Sequence, residues 1–172
     1  MGRKQVISVL AALAALAGCN TSGCLDNQSA LPLAEFYSSA TGAVVSVDSL
    51  EVVGVGAPDG DVLSEATPAK SQLYLPMRST HTSTSWRLIY RQKALAAAGV
   101  EDEVGFDYES IPYFASEECG ATYRYRITRV HYTTNVVDSV VLTDSLITNV
   151  DRATIRIYFH TSEQPGGEGA EQ

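Results

Sequence analysis

The chain of 172 residues carries 20 acidic and 12 basic side chains, a formal net charge of -8. Excess negative charge is repelled by phosphate backbones, which argues against nucleic-acid binding. A hydrophobic fraction of 45% belongs to a folded domain rather than a disordered chain, and the length suits one domain with a sizeable core.

The chain opens Met1-Gly2-Arg3-Lys4, followed by an apolar stretch over residues 6–17. A cationic start and a short apolar run form the export-signal pattern, too short for a transmembrane helix. The run closes in Leu16-Ala17-Gly18-Cys19, which resembles the bacterial lipobox. That resemblance implies a diacylglycerol thioether on Cys19 and cleavage after Gly18, so residues 1–18 are expected to be a signal peptide and 19–30 an anchor and tether. Each buried methylene contributes about 0.8 kcal/mol, so two or three acyl chains hold a protein durably on a membrane. Asn20 is not the aspartate associated with inner-membrane retention, and no acidic cluster of the surface-export kind follows Cys19. The expected address is therefore the outer membrane, facing the periplasm.

Removing Arg3 and Lys4 with the signal leaves 10 basic against 20 acidic side chains on a mature chain of 154 residues. With Cys19 assigned to lipid, Cys24 and Cys119 remain, one pair in an oxidising compartment. A disulfide between them closes a loop of about 95 residues, worth about 4–5 kcal/mol by the chain-entropy estimate. A reactive thiol or a metal site is the alternative, but neither cysteine belongs to a Cys-x-x-Cys motif and no histidine lies near either in sequence.

From Leu31 onward short apolar or alternating runs are separated by turn residues, the sign of an all-β domain. The expected strands begin with 33–37, a turn at Thr41-Gly42, then 43–47, punctuation at Asp48-Ser49 and 50–55. Residues 57–61 read as a turn. Next come 72–75, ended by Pro76, and 85–92, in which Trp86, Leu88 and Tyr90 share one face against Arg87 and Arg91. Residues 91–98 are rich in helix formers and Gly99 suits a cap, which predicts one short helical turn in a loop. Residues 104–108 follow, then the longest run, 122–132, with Tyr123, Tyr125 and Ile127 on one face. Its phase slips after Arg129, where Val130 and Tyr132 take over the bulk, so a bulge or a bend between sheets is expected there. Residues 136–142, a turn near Asp144, and 154–159, with Ile155, Ile157 and Phe159 inward, complete eight to ten strands. That number favours a two-sheet antiparallel β-sandwich, immunoglobulin-like or similar, over residues 31–162, followed by a frayed tail at 163–172.

No motif declares a chemistry. His81, His131 and His160 lack metal-ligand spacing, and no Gly-x-Ser-x-Gly elbow marks a nucleophile. Gly54-Val55-Gly56 starts like a dinucleotide fingerprint but has Asp59 where glycine is needed, and no helix follows. Asp59-Gly60-Asp61 lacks the ligands of a calcium loop. Glu101-Asp102-Glu103 and Glu117-Glu118 read as solvated charge clusters flanking turns, and Trp86 as a core residue rather than a sugar platform. No catalytic residue, cofactor or metal is expected.

The segments Gly23-Cys24-Leu25-Asp26-Asn27, Leu73-Tyr74-Leu75-Pro76, Glu118-Cys119-Gly120 and Val137-Asp138-Ser139-Val140, with Asn149 and Ile155-Arg156-Ile157-Tyr158-Phe159, together resemble an uncharacterised lipoprotein family of gut Bacteroidota. Residues 94–103 do not match. The resemblance implies an envelope address and a fold type, supports pairing Cys24 with Cys119, and suggests an outer-membrane β-barrel protein as partner; it supplies no catalytic residues. Two functions follow as expectations. One is a lipid-anchored, non-catalytic module that binds an envelope protein or a glycan. The other is an envelope hydrolase acting on glycan or peptide, which requires a deep cleft gathering His131 or His160 with carboxylates.

Overall fold

The computed structural model describes residues 30–57, 62–117 and 120–161. The expectations for the signal peptide, Cys19, Cys24, Cys119, the turn residues 58–61 and the tail fall outside these residues. Among the described residues are β1 (Leu33–Ser38), β2 (Leu50–Gly54), β3 (Val62–Thr67), β4 (Gln72–Tyr74), β5 (Ser83–Tyr90), α1 (Lys93–Ala97), β6 (Glu101–Ser116), β7 (Gly120–Tyr132), β8 (Val137–Leu142), β9 (Leu146–Ile147) and β10 (Ala153–Phe159). They form a four-stranded sheet ordered β4-β1-β10-β8 and a six-stranded sheet ordered β3-β2-β5-β6-β7-β9. The all-β sandwich with one short helix is the fold the alternation pointed to.

Period-2 patterning explains the core. Trp86, Leu88 and Tyr90 of β5, Val104, Phe106 and Tyr108 of β6, and Ile155, Ile157 and Phe159 of β10 are all buried, because every second side chain of a strand meets the facing sheet. Phe36 meets Phe159 edge-on at 5.2 Å, and Tyr108 meets Tyr125 at 5.4 Å. The slip expected in the longest strand is a bulge at Thr128: Asp107 pairs with Arg129, yet Tyr108 pairs with Ile127. One extra residue on β7 turns Val130 back toward the core while Ile127 keeps its buried place. The helix ends as expected, with Gly99 at a φ of 63°, the left-handed conformation that glycine adopts without a Cβ penalty.

Several expectations are corrected. Residues 43–47 are not a strand; only the isolated bridges Tyr37–Val44 and Val47–Lys70 occur, since this segment passes from one sheet to the other and keeps no single neighbour. The strand expected at 104–108 extends over Glu101–Ser116, its outer part concealed by Glu109, Ser110 and Pro112. Strands β3 and β9 carry too little alternation to be named in advance. The sheets are antiparallel except that β1 and β10 run parallel from Leu33–Ala153 to Ser38–Phe159. No short crossover is needed, because the whole domain separates those two strands.

The largest correction concerns Asp102. Expected in a solvated cluster, it is 1% exposed at the start of β6, two residues before Val104 and in phase with the inward row. Its carboxylate accepts from the Tyr90 hydroxyl (2.9 Å), the Thr133 hydroxyl (2.7 Å) and the backbone N–H groups of Asn135 (2.7 Å), Val136 (2.8 Å) and Val137 (2.9 Å). Residues 133–136 are the passage from β7 in the six-stranded sheet to β8 in the four-stranded one. The chain turning between sheets has no ladder for its amides, and Asp102 supplies the acceptors. Burial pushes its carboxyl pKa up, but the Val137, Asn135, Thr133 and Val136 hydrogen bonds outweigh this and hold it below the ordinary carboxylate value. For Tyr90, burial first and the adjacent carboxylate second push the phenol far above its usual range.

A carboxyl whose pKa is depressed by folding adds stability above its unfolded pKa, near 3.9, and loses it as pH falls through the lower folded value. Asp102→Asn keeps the shape but turns an amide donor toward N–H donors. It should cost about 3 kcal/mol at neutral pH in urea denaturation and flatten the loss of stability below about pH 4. Tyr90→Phe, which removes one bond to the same charge, should cost about 1.5–2 kcal/mol.

Candidate functional site

The sandwich has two different ends. At the Asp102 end lie the start of β6, the β7–β8 passage and the close of β1 and β10. At the other end β6 and β7 run on together as a two-stranded arm, paired through Phe114–Ala121 to Ser116–Gly120. The arm end carries the more apolar cleft, with a volume of about 460 Å³.

Its walls come from three places. The close of β2 brings Gly54 and Val55, the edge strand β3 brings Val62 and Leu63, and the segment after β4 brings Pro76, Met77 and Arg78. Trp86 lies at the back, 2% exposed, its ring 5.7 Å from that of Phe106. Two buried tyrosines fasten the Pro76–Arg78 wall. The Tyr108 hydroxyl donates to the Arg78 carbonyl (2.9 Å), accepts from the Arg78 N–H (3.0 Å) and lies 2.8 Å from the Thr84 hydroxyl. The Tyr125 hydroxyl donates to the Met77 carbonyl at 3.5 Å. Burial, the largest cause, raises the Tyr125 pKa, so that phenol stays a neutral donor at physiological pH.

Three features of this cleft bear on what it could hold. Val62 and Leu63 are 46% and 37% exposed on an edge strand, with Val55 beside them at 37%. Edge strands leave a row of backbone groups open to an added strand. Arg78 is the one charged residue of the lining, and among the described residues its guanidinium has no ion-pair partner. Nothing in the sequence marked this site, because the stretch Val62-Leu63-Ser64-Glu65-Ala66-Thr67 is exposed nearly throughout and shows no inward phase.

The histidines do not converge. His81 bonds its neighbour Thr80 at 3.0 Å. His160 lies 3.6 Å from Asp138, both substantially exposed, beside a more polar cleft of about 540 Å³ at the Asp102 end that includes Tyr90, Asn135 and Val136. Ser139 donates to Asp138 rather than to His160, so no nucleophile–base bond forms there. His131 Nε2 is 3.2 Å from Ser85 Oγ, a pairing made across Gly105, which sits between them in the row Ser85–Gly105–His131. This pair lies on the outer sheet face, and neither cleft reaches it. Among the described residues no carboxylate orients His131, and no group of three or more His, Cys, Asp or Glu side chains is gathered as a metal site.

A family model matches residues 49–159, the span from the turn before β2 to the end of β10. The chain belongs to DUF6452, a family of unknown function. The DUF6452 span contains the whole cleft, Asp102 and the arm, and stops short of β1, Cys19 and Cys24. No curated protein and no solved structure matches the chain.

Gly105 is under a steric constraint that can be measured. A Cβ there would lie 2.1 Å from His131 Nε2 and 2.5 Å from Ser85 Oγ. Gly105→Ala should therefore break the Ser85–His131 bond and destabilise the protein by about 1–3 kcal/mol. Adding His131→Ala should recover most of that loss, which a double-mutant cycle of thermal unfolding would register as coupling.

Proposed function

We propose that this DUF6452 protein is a non-catalytic, lipid-anchored module of the cell envelope. Its cleft and the adjoining β3 edge hold an extended segment of another envelope protein. The observation that carries the reading is the apolar cleft of about 460 Å³ opening beside an edge strand whose Val62 and Leu63 side chains are bare. Strand addition to β3 supplies main-chain hydrogen bonds, the cleft takes an apolar side chain, and Arg78 favours an acidic residue in the guest. A protein guest is preferred over a glycan because Trp86, the one tryptophan, presents almost no surface for a sugar to stack on. The anchor rests on Leu16-Ala17-Gly18-Cys19 and on the resemblance to envelope lipoproteins. The same resemblance favours the periplasmic face of the outer membrane and a β-barrel protein of that membrane as the guest's owner.

Cys19→Ala should abolish incorporation of labelled fatty acid and release the protein from the membrane fraction; retention of label would remove the anchor from the proposal. A photo-crosslinking residue replacing Leu63 in living cells should trap one envelope protein through an extended segment, and Arg78→Glu should weaken that product. Equal labelling from Arg126, an exposed residue of β7, would show that the β3 edge is no docking site.

A further inference from the structure

The cleft at the Asp102 end is walled by what the core leaves over. Its volume is about 540 Å³, within the range of small-molecule sites. The apolar wall consists of Val45, Val47, Leu95 and Val136. All four pack against the core yet stay partly exposed, because each comes from a segment that belongs to neither sheet. Val45 and Val47 lie in the passage after β1, Leu95 in α1, and Val136 in the passage between β7 and β8. Buried Tyr90 lies at the back.

The polar groups of this cleft have their donors already spent. Gln92 Nε2 donates to the Asp48 carbonyl (3.0 Å) and Asn135 Nδ2 to the Glu101 carbonyl (2.7 Å). A carbonyl fixes which end of an amide faces it, so both amide oxygens are left as acceptors. Neither oxygen has a partner among the described residues. The charge around them is negative. The Asp102 carboxylate lies directly behind the Tyr90 hydroxyl (2.9 Å), and Asp138 stands at the rim. In the lining the one side chain able to carry positive charge is His160, already 3.6 Å from Asp138. Of the neighbouring cations, Arg91 is held by Glu51 at 2.7 Å, and Lys93 is exposed and outside the lining.

We infer that this cleft binds a small organic ammonium ion, a primary amine carried on a short apolar body. The body lies on Val45, Val47, Leu95 and Val136, and the ammonium donates toward Gln92 Oε1 and Asn135 Oδ1. An ammonium group has donors only, so it complements a site whose own donors are used. A carboxylate of the same length would bring acceptors to acceptors and a like charge to Asp102 and Asp138. Binding needs neither the lipid nor a guest at β3, whose cleft lies at the opposite end, so the crosslinking result from Leu63 does not bear on it.

The test titrates the isotope-labelled full-length chain carrying Cys19→Ala, so that no lipid competes for the probe. The probe is n-hexylammonium chloride, followed by amide NMR, with sodium n-hexanoate as the control of opposite charge. Hexylammonium should give saturable shifts centred on the amides of Val45, Val47, Leu95 and Val136, and should bind about tenfold more tightly than hexanoate. Gln92→Lys, which sets a tethered ammonium among the acceptors, should remove that preference while the thermal unfolding midpoint holds. Ser46→Lys, at another exposed residue of the lining, should do the same without touching an amide. The absence of saturable shifts, equal affinity for hexanoate, or shifts centred on Val62 and Leu63 would each overturn the inference. So would a preference that survives in both lysine variants.

Discussion

A β-sandwich must pass its chain from one sheet to the other, and each passage strips backbone amides of their ladder partners. Here the passage between β7 and β8 gives three of those amides to the carboxylate of Asp102. The same carboxylate binds the hydroxyls of Tyr90 and Thr133, so β5, β6 and the crossing chain meet at one buried charge. A neutral acceptor could not take five donors at such short range. Because each donor is itself held by neighbouring structure, the charge stays desolvated without needing a cation.

The cluster makes the two ends of the molecule unlike each other. Its end is tied by polar bonds to a single carboxylate, while the far end is closed by Pro76–Arg78 hanging from two tyrosine hydroxyls. A wall fixed at a few points leaves space behind it, and the apolar cleft lies there. The edge strand β3 borders that space with side chains that the core does not use.

Much of the fold was legible in the sequence. Alternation in β5 and β10 placed Trp86, Leu88, Ile155 and Ile157 correctly, and the phase slip in β7 located a real bulge, because core burial writes a strict period into half-buried strands. Asp102 was not legible as a buried hub, since its donors come from residues 90 and 133–137 and an acidic triplet ordinarily means solvent. One signal was available: Asp102 keeps step with Val104, Phe106 and Tyr108. The cleft left no trace, because β3 carries no inward phase and exposed apolar residues are common on any surface. The three cysteines were visible as a parity argument, and all three lie outside the described residues.

The parallel pairing of β1 with β10 determines how the molecule carries load. The chain enters β1 at the arm end and leaves β10 at the opposite end, and these neighbours share a register of six residue pairs. Tension between the two termini therefore acts along the strands in opposite directions and strains the ladder hydrogen bonds together in shear. Hairpin strands pulled from their open end would instead peel apart bond by bond. A domain wired in this way resists being drawn out lengthwise.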